Sequence, residues 1–106
     1  MAWLYLFLAG IFEIGWPLGF KLSQTTGQRA AWIGVAVVSM ALSGFFLWMA
    51  QKTIPIGTAY AVWTGIGAVG TFALGIVFFG DSHSFWRIFS VALVVAGLVG
   101  LKISPG

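Results

Sequence analysis

The sequence predicts an all-α integral membrane protein with four transmembrane helices, and three observations carry that prediction. Of its 106 residues, 60% are hydrophobic and 7% are charged, against about 25% charged in an ordinary soluble domain. The apolar residues fall into four stretches, each close to the length that crosses the hydrocarbon core of a bilayer. Polar residues, turn-forming residues and most of the charges gather between those stretches. A soluble domain of this size has a large surface for its volume and would leave much of that apolar sequence wet. Lipid is therefore the expected solvent for most of the chain.

The first span is expected over residues 2–20, about 28 Å of helix at 1.5 Å per residue, with Glu13 as its one ionisable side chain. No basic residue precedes its apolar run, a glutamate lies inside it, and three similar stretches follow, so it is expected to stay in the protein and not to be cleaved as a signal peptide. A polar connection with Ser23, Gln24, Thr25, Thr26 and Gly27 leads to the second span, residues 30–50, which is uncharged and ends at Gln51 and Lys52. Pro55 and Gly57 mark the next turn. The third span, residues 58–79, carries Tyr60, Trp63, Thr64 and the glycines Gly65, Gly67, Gly70 and Gly75, a composition that predicts a bendable helix. Gly80, Asp81, Ser82, His83 and Ser84 form a short loop, and the fourth span covers residues 85–103, with Arg87 near its start and Lys102 near its end. The connections are too short to be domains, so residues 1–106 read as a single four-helix unit.

Small residues recur along three spans: Gly15 and Gly19 in the first; Ala61 and Gly65, then Gly67, Thr71 and Gly75 in the third; Ala92, Ala96 and Gly100 in the fourth. Such seams let helix backbones approach closely, and together they favour a packed bundle. Several function classes fall away. The five basic residues, Lys21, Arg29, Lys52, Arg87 and Lys102, are scattered and form no patch that could neutralise nucleic-acid phosphates. Without cysteine there is no disulfide framework or thiolate metal site, a lone His83 builds no metal centre, and no cofactor is expected. No pairing of nucleophile and base appears within the spans, which argues against an enzyme. Asp81 and His83 read as a solvated turn without a role.

Charge placement bears on assembly. With four spans, Lys52 and Lys102 share one side of the membrane, while Lys21, Arg29 and Arg87 share the other. The lysine and arginine bias of short loops sets orientation, and a difference of 3 − 2 = 1 gives the insertion machinery little to read. Both orientations are then plausible, and two oppositely inserted copies form an antiparallel homodimer. That dimer supplies between chains the inverted symmetry that larger transporters encode within one.

Glu13 is the residue that demands an explanation. It lies about 16 Å along the first helix, near the bilayer midplane, where an acidic side chain costs roughly 2.5 to 3.5 kcal/mol. One account is a permanently protonated, hydrogen-bonded structural glutamate; the other is function, the usual reason for such a residue. No lysine or arginine shares its depth, so an external cation is the natural counter-ion. Burial in lipid favours the neutral carboxyl and a nearby cation favours the carboxylate, so proton and cation compete for one group. A carboxylate that faces one side of the membrane at a time then suffices to exchange protons for cations.

At helical spacing around Glu13 come Gly10 on one side and Trp16, Pro17 and Phe20 on the other. Gly10 leaves space. Trp16 can offer its indole N–H to a carboxylate or its ring face to a planar cation. Trp3, Trp32 and Trp86 lie near span ends and suit interfacial anchoring, whereas Trp16 and Trp63 lie deeper and become site candidates. The hydroxyls of Ser43 and Tyr60 need partners inside the bundle and join the list. Pro17 lacks the N–H that would bond the carbonyl of residue 13, which predicts a kink or opening beside the carboxylate.

Glu13 followed by Trp16 and Lys21, with the run from Pro55 to Ala68 that contains Gly57-Thr58-Ala59-Tyr60-Ala61-Val62-Trp63-Thr64-Gly65-Ile66-Gly67, closely resembles the small multidrug resistance family. The spacing of Trp16 after Glu13 and the third-span run resemble its guanidinium-exporter subtype. The resemblance covers all four spans and implies a dual-topology antiparallel homodimer in a bacterial inner membrane, exporting guanidinium in exchange for protons. By position it implies that Glu13 binds proton and substrate, that Trp16 and Ser43 orient it, that Tyr60 and Trp63 line the pocket, that Gly65 and Gly67 lie where the third helix bends, and that the fourth span supplies dimer contacts. Pro17, Phe20 and Asp81 depart from the family pattern and bear on substrate choice. Guanidinium suits the residues physically: it is planar, weakly hydrated and presents paired N–H donors that match carboxylate oxygens. Two alternatives stand beside it. Quaternary ammoniums have no donors and need a roomy aromatic cage, which the ten phenylalanines could furnish; a non-transporting membrane subunit would leave Glu13 without a purpose.

Overall fold

The structure is a computed structural model that describes residues 1–105. The chain folds into four helices, α1 (Ala2–Thr25), α2 (Arg29–Ala50), α3 (Ile56–Phe79) and α4 (Phe85–Ile103). Each is long and apolar enough to cross a membrane, with lengths of about 28 to 36 Å at 1.5 Å per residue. The four-span, all-α expectation therefore holds for the described residues.

Boundaries shift where polar residues keep a helix going. α1 continues past Phe20 to Thr25 because its hydroxyl-bearing residues bond back along the helix: Ser23 Oγ donates to the Phe20 carbonyl at 2.7 Å, and Thr25 Oγ1 donates to the Lys21 carbonyl at 3.1 Å. Pro55 caps α3, which starts at Ile56, two residues earlier than expected. The other end of α3 falls where the sequence placed it, since Gly80 takes the left-handed conformation, φ 71°, that stops a helix. α1 runs as one continuous helix through Pro17, which accommodates the missing N–H at that residue without ending the helix.

Packing is uneven. α1 makes its broadest contact with α2 and its next with α3, α4 packs its backbone against α3, and α2 barely meets α3. The Gly15 and Gly19 seam explains the first contact. The bare face of Gly15 meets Ser39, and a Cβ at Gly19 would fall 2.8 Å from the Trp32 carbonyl oxygen. Phe12 and Phe46 stack across the same interface with ring centroids 5.8 Å apart. α1 meets α3 through a second set of glycines, with Gly10 against Ile66 and Gly70 against Ile14. A small core of Leu6, Ala50, Ile54, Ala59 and Val62 ties the start of α1 to the turn between α2 and α3.

α4 behaves differently. No residue of it is buried, and its main inward contact is Leu98 lying over Gly65 of α3. The expected seam of Ala92, Ala96 and Gly100 meets no other helix of the chain: all three residues are exposed, and nothing lies within 4 Å of a Cβ placed at Gly100. The molecule is accordingly a thin slab, 48 × 35 × 17 Å. At one rim of it Lys102 lies over the Trp3 ring, 4.9 Å from its centroid, bringing the start of α1 and the end of α4 together.

Candidate functional site

Glu13 sits halfway along α1, half-buried, on the face turned to α3. Its side chain fits there because residue 67 has none: a Cβ at Gly67 would fall 2.6 Å from Glu13 Cγ. Beside the carboxylate, α1 and α3 leave a groove of about 280 Å³, lined by Trp16 and Pro17 from α1 and by Thr64, Gly67, Ala68 and Thr71 from α3. This is the small end of ligand-site volumes. Among the described residues no lysine or arginine lines it, and Trp16 is its one aromatic.

Behind the carboxylate lies a polar cluster centred on Ser43 of α2. Ser43 is fully buried, 0% exposed. Its Oγ donates to the Ala9 carbonyl at 2.7 Å, stands 3.4 Å from Glu13 Oε1, and accepts the indole N–H of Trp63 at 2.8 Å. A serine hydroxyl has one hydrogen and two lone pairs. With Trp63 on one lone pair, the other is free to accept a proton-bearing Glu13, and the hydrogen can turn from Ala9 to an ionised Glu13. One hydroxyl thus serves both charge states of the acid without leaving a buried polar group unpartnered. Three helices meet in this cluster through side chains from residues 13, 43 and 63.

The residues singled out from sequence divide into three groups. Glu13, Ser43 and Trp63 are joined by the contacts above, and Gly67 and Trp16 border the same groove. Trp16 packs edge-on to Phe20, ring centroids 5.7 Å apart, and makes no hydrogen bond to Glu13. Tyr60 stands outside the groove: it is 57% exposed and packs edge-on to Trp63 at 5.5 Å. Gly10 and Gly65 also lie elsewhere, their bare faces filled by Ile66 and Leu98, so Gly10 admits a neighbouring helix and not a ligand. Thr64, Ala68 and Thr71 also line the groove, although the sequence pattern does not single them out as site residues. Their spacing carries a signal, because Thr64, Gly67 or Ala68, and Thr71 fall on one helical face, but Thr71 also falls in the small-residue seam with Gly67 and Gly75.

The description of a Small Multidrug Resistance protein fits residues 1–94 of this chain. The chain belongs to the small multidrug resistance family. Within it, the chain is 50% identical over 104 residues to a guanidinium exporter of Yersinia pseudotuberculosis, covering 98% of this chain and 99% of that one. It is 43% identical to guanidinium exporters of Proteus vulgaris and Salmonella typhimurium, again over 98% of its length. As a member of this family with four membrane-length helices, the chain is a multi-pass membrane transport protein.

Proposed function

We propose that this protein is a proton-coupled antiporter that exports guanidinium or small guanidinyl cations by alternating access, as an antiparallel homodimer in a bacterial inner membrane, driven by the proton gradient with no cofactor. The observation that carries the reading is Glu13: an acid at mid-membrane depth, opening on a groove without a fixed cation and backed by the Ser43 and Trp63 hydrogen bonds. The relatives named guanidinium exporters, up to 50% identical, supply the substrate class.

The carboxylate holds either a proton or a cation. When Glu13 is ionised, its oxygens pair with guanidinium N–H donors, a charge-assisted geometry that a planar cation matches well. Trp16 offers a ring face at the same groove. Protonation removes the charge and releases the guest, and the Ser43 hydroxyl turns to suit whichever form is present. Tyr60, exposed beside Trp63, then reaches the substrate only across a change in shape or from the partner copy. A partner copy also suits α4, whose small-residue face has no neighbour within the chain, and the balanced loop charges support insertion in both directions. The groove favours guanidinium over a quaternary ammonium, since none of the ten phenylalanines lines it.

The test is a transport current on a solid-supported membrane when guanidinium meets reconstituted protein, with Glu13→Gln beside it. Wild type is expected to respond, more weakly as the medium is acidified because protons occupy the site, and Glu13→Gln is expected to lose coupled exchange. Affinity that stays flat with pH, or a coupled current retained by Glu13→Gln, overturns the mechanism; a response confined to tetraalkylammonium ions overturns the substrate class.

A further inference from the structure

The chain has two acidic residues, Glu13 and Asp81, and the structure connects them. A second cavity of about 250 Å³ lies between α1 and α3 toward the loop end of α3, and Asp81, Lys21 and Phe79 line it. Pro17 and Thr71 line this cavity and the Glu13 groove alike, so the two spaces adjoin. Asp81 belongs to an exposed loop, yet its carboxylate turns back onto the helix. Gly80 adopts its left-handed turn, the Asp81 N–H donates to the Gly75 carbonyl at 3.0 Å, and the bare face of Gly75 is what accommodates Asp81 Oδ2.

We propose that Asp81 forms an outer cation station, at which a guanidinium-class cation pauses before passing Pro17 and Thr71 to Glu13. The proposal rests on the export reading above. The cavity holds the chemistry that such a cation uses: a carboxylate for its N–H donors, a hydroxyl at Thr71 and an aromatic ring at Phe79. It also holds a competitor. Lys21 lines the same space without an ion pair to Asp81, and its ammonium is a tethered positive charge that opposes a second cation there and keeps the station weak enough to release what it captures. Asp81 and Lys21 therefore act on the same step with opposite sign.

The experiment measures initial rates of guanidinium exchange by proteoliposomes, for wild type, Asp81→Asn, Asp81→Glu, Lys21→Gln and Gly75→Ala, at low and high ionic strength. Asp81→Asn is expected to raise KM about tenfold at low ionic strength, the lower end of what a focused charge contributes to capture, with kcat unchanged. Asp81→Glu should restore KM. Lys21→Gln should lower it, a result that a merely structural Asp81 does not produce. Gly75→Ala keeps the charge but displaces the carboxylate from the cavity, so it should resemble Asp81→Asn and serves if that variant folds poorly. All these differences should shrink at high ionic strength, where charges are screened. An unchanged KM in Asp81→Asn and Gly75→Ala, or a KM for Lys21→Gln that rises with theirs, overturns the station while leaving Glu13 exchange intact. Absence of any guanidinium exchange by wild type instead removes the export reading, and the station with it.

Discussion

α1 and α4 are both apolar spans with small residues at four-residue spacing, yet the chain treats them in opposite ways. The glycines of α1 are occupied: Gly10 by α3, Gly15 and Gly19 by α2. Those of α4 are open, with nothing near Gly97 or Gly100 and no buried residue along the helix. In a bilayer, apolarity does not distinguish a lipid-facing surface from a packed one, because lipid tails are as apolar as the side chains, and close packing and hydrogen bonds decide which faces meet. α1 carries the group most costly to expose to lipid, Glu13, and is the helix that two others surround. α4 carries its charges, Arg87 and Lys102, only near its ends and remains at the edge of the slab. A small-residue seam therefore marks a surface able to pack without naming its partner.

The sharpest way to break this contrast is to disturb what surrounds Glu13. Gly67→Ala places a methyl against Glu13 Cγ, 2.6 Å away before relaxation. Because Gly67 faces the acid directly, exchange kinetics are expected to fall by about ten- to a hundredfold, as small misplacements of reacting groups do; rates like those of wild type would show that the acid has freedom the packing denies it. Next in size is a matched pair. Gly19→Leu drives a side chain into the Trp32 backbone and Ala36 and should lower stability in a detergent unfolding titration by about 1–3 kcal/mol or more. Gly100→Leu, where a Cβ meets nothing within 4 Å, should leave that titration nearly unchanged and instead reduce the yield of cross-linked dimer in membranes. Equal destabilisation by both would erase the distinction between the helices. Ser43→Ala leaves the Trp63 indole N–H without its 2.8 Å acceptor. A loss of about 1–3 kcal/mol is expected, with exchange weakened and the pH dependence of guanidinium affinity altered.

Much of this molecule was legible in the order of its residues. Four spans follow from counting apolar positions against the bilayer thickness, and the end of α3 follows from Gly80, whose lack of a side chain permits the left-handed turn. Glu13 stood out because a carboxyl group at mid-span is costly wherever its helix packs. Extension of α1 to Thr25 was harder to see, since Ser23 and Thr25 read as loop residues until their hydroxyls are found bonded within the helix.

Span number and the position of Glu13 along α1 were set by the sequence alone, because hydrophobicity and rise per residue accumulate locally along a helix. Which faces touch depends on how each helix is rotated about its axis and how it crosses its neighbours. Tertiary structure alone therefore decided that Ser43 meets both Ala9 and Trp63, that Gly67 makes room for Glu13 while Gly65 receives Leu98, that Tyr60 stands outside the groove, and that Thr71 and Pro17 border both cavities. These are contacts between residues far apart in the chain, and a difference of one helical position in rotation would have produced a different set.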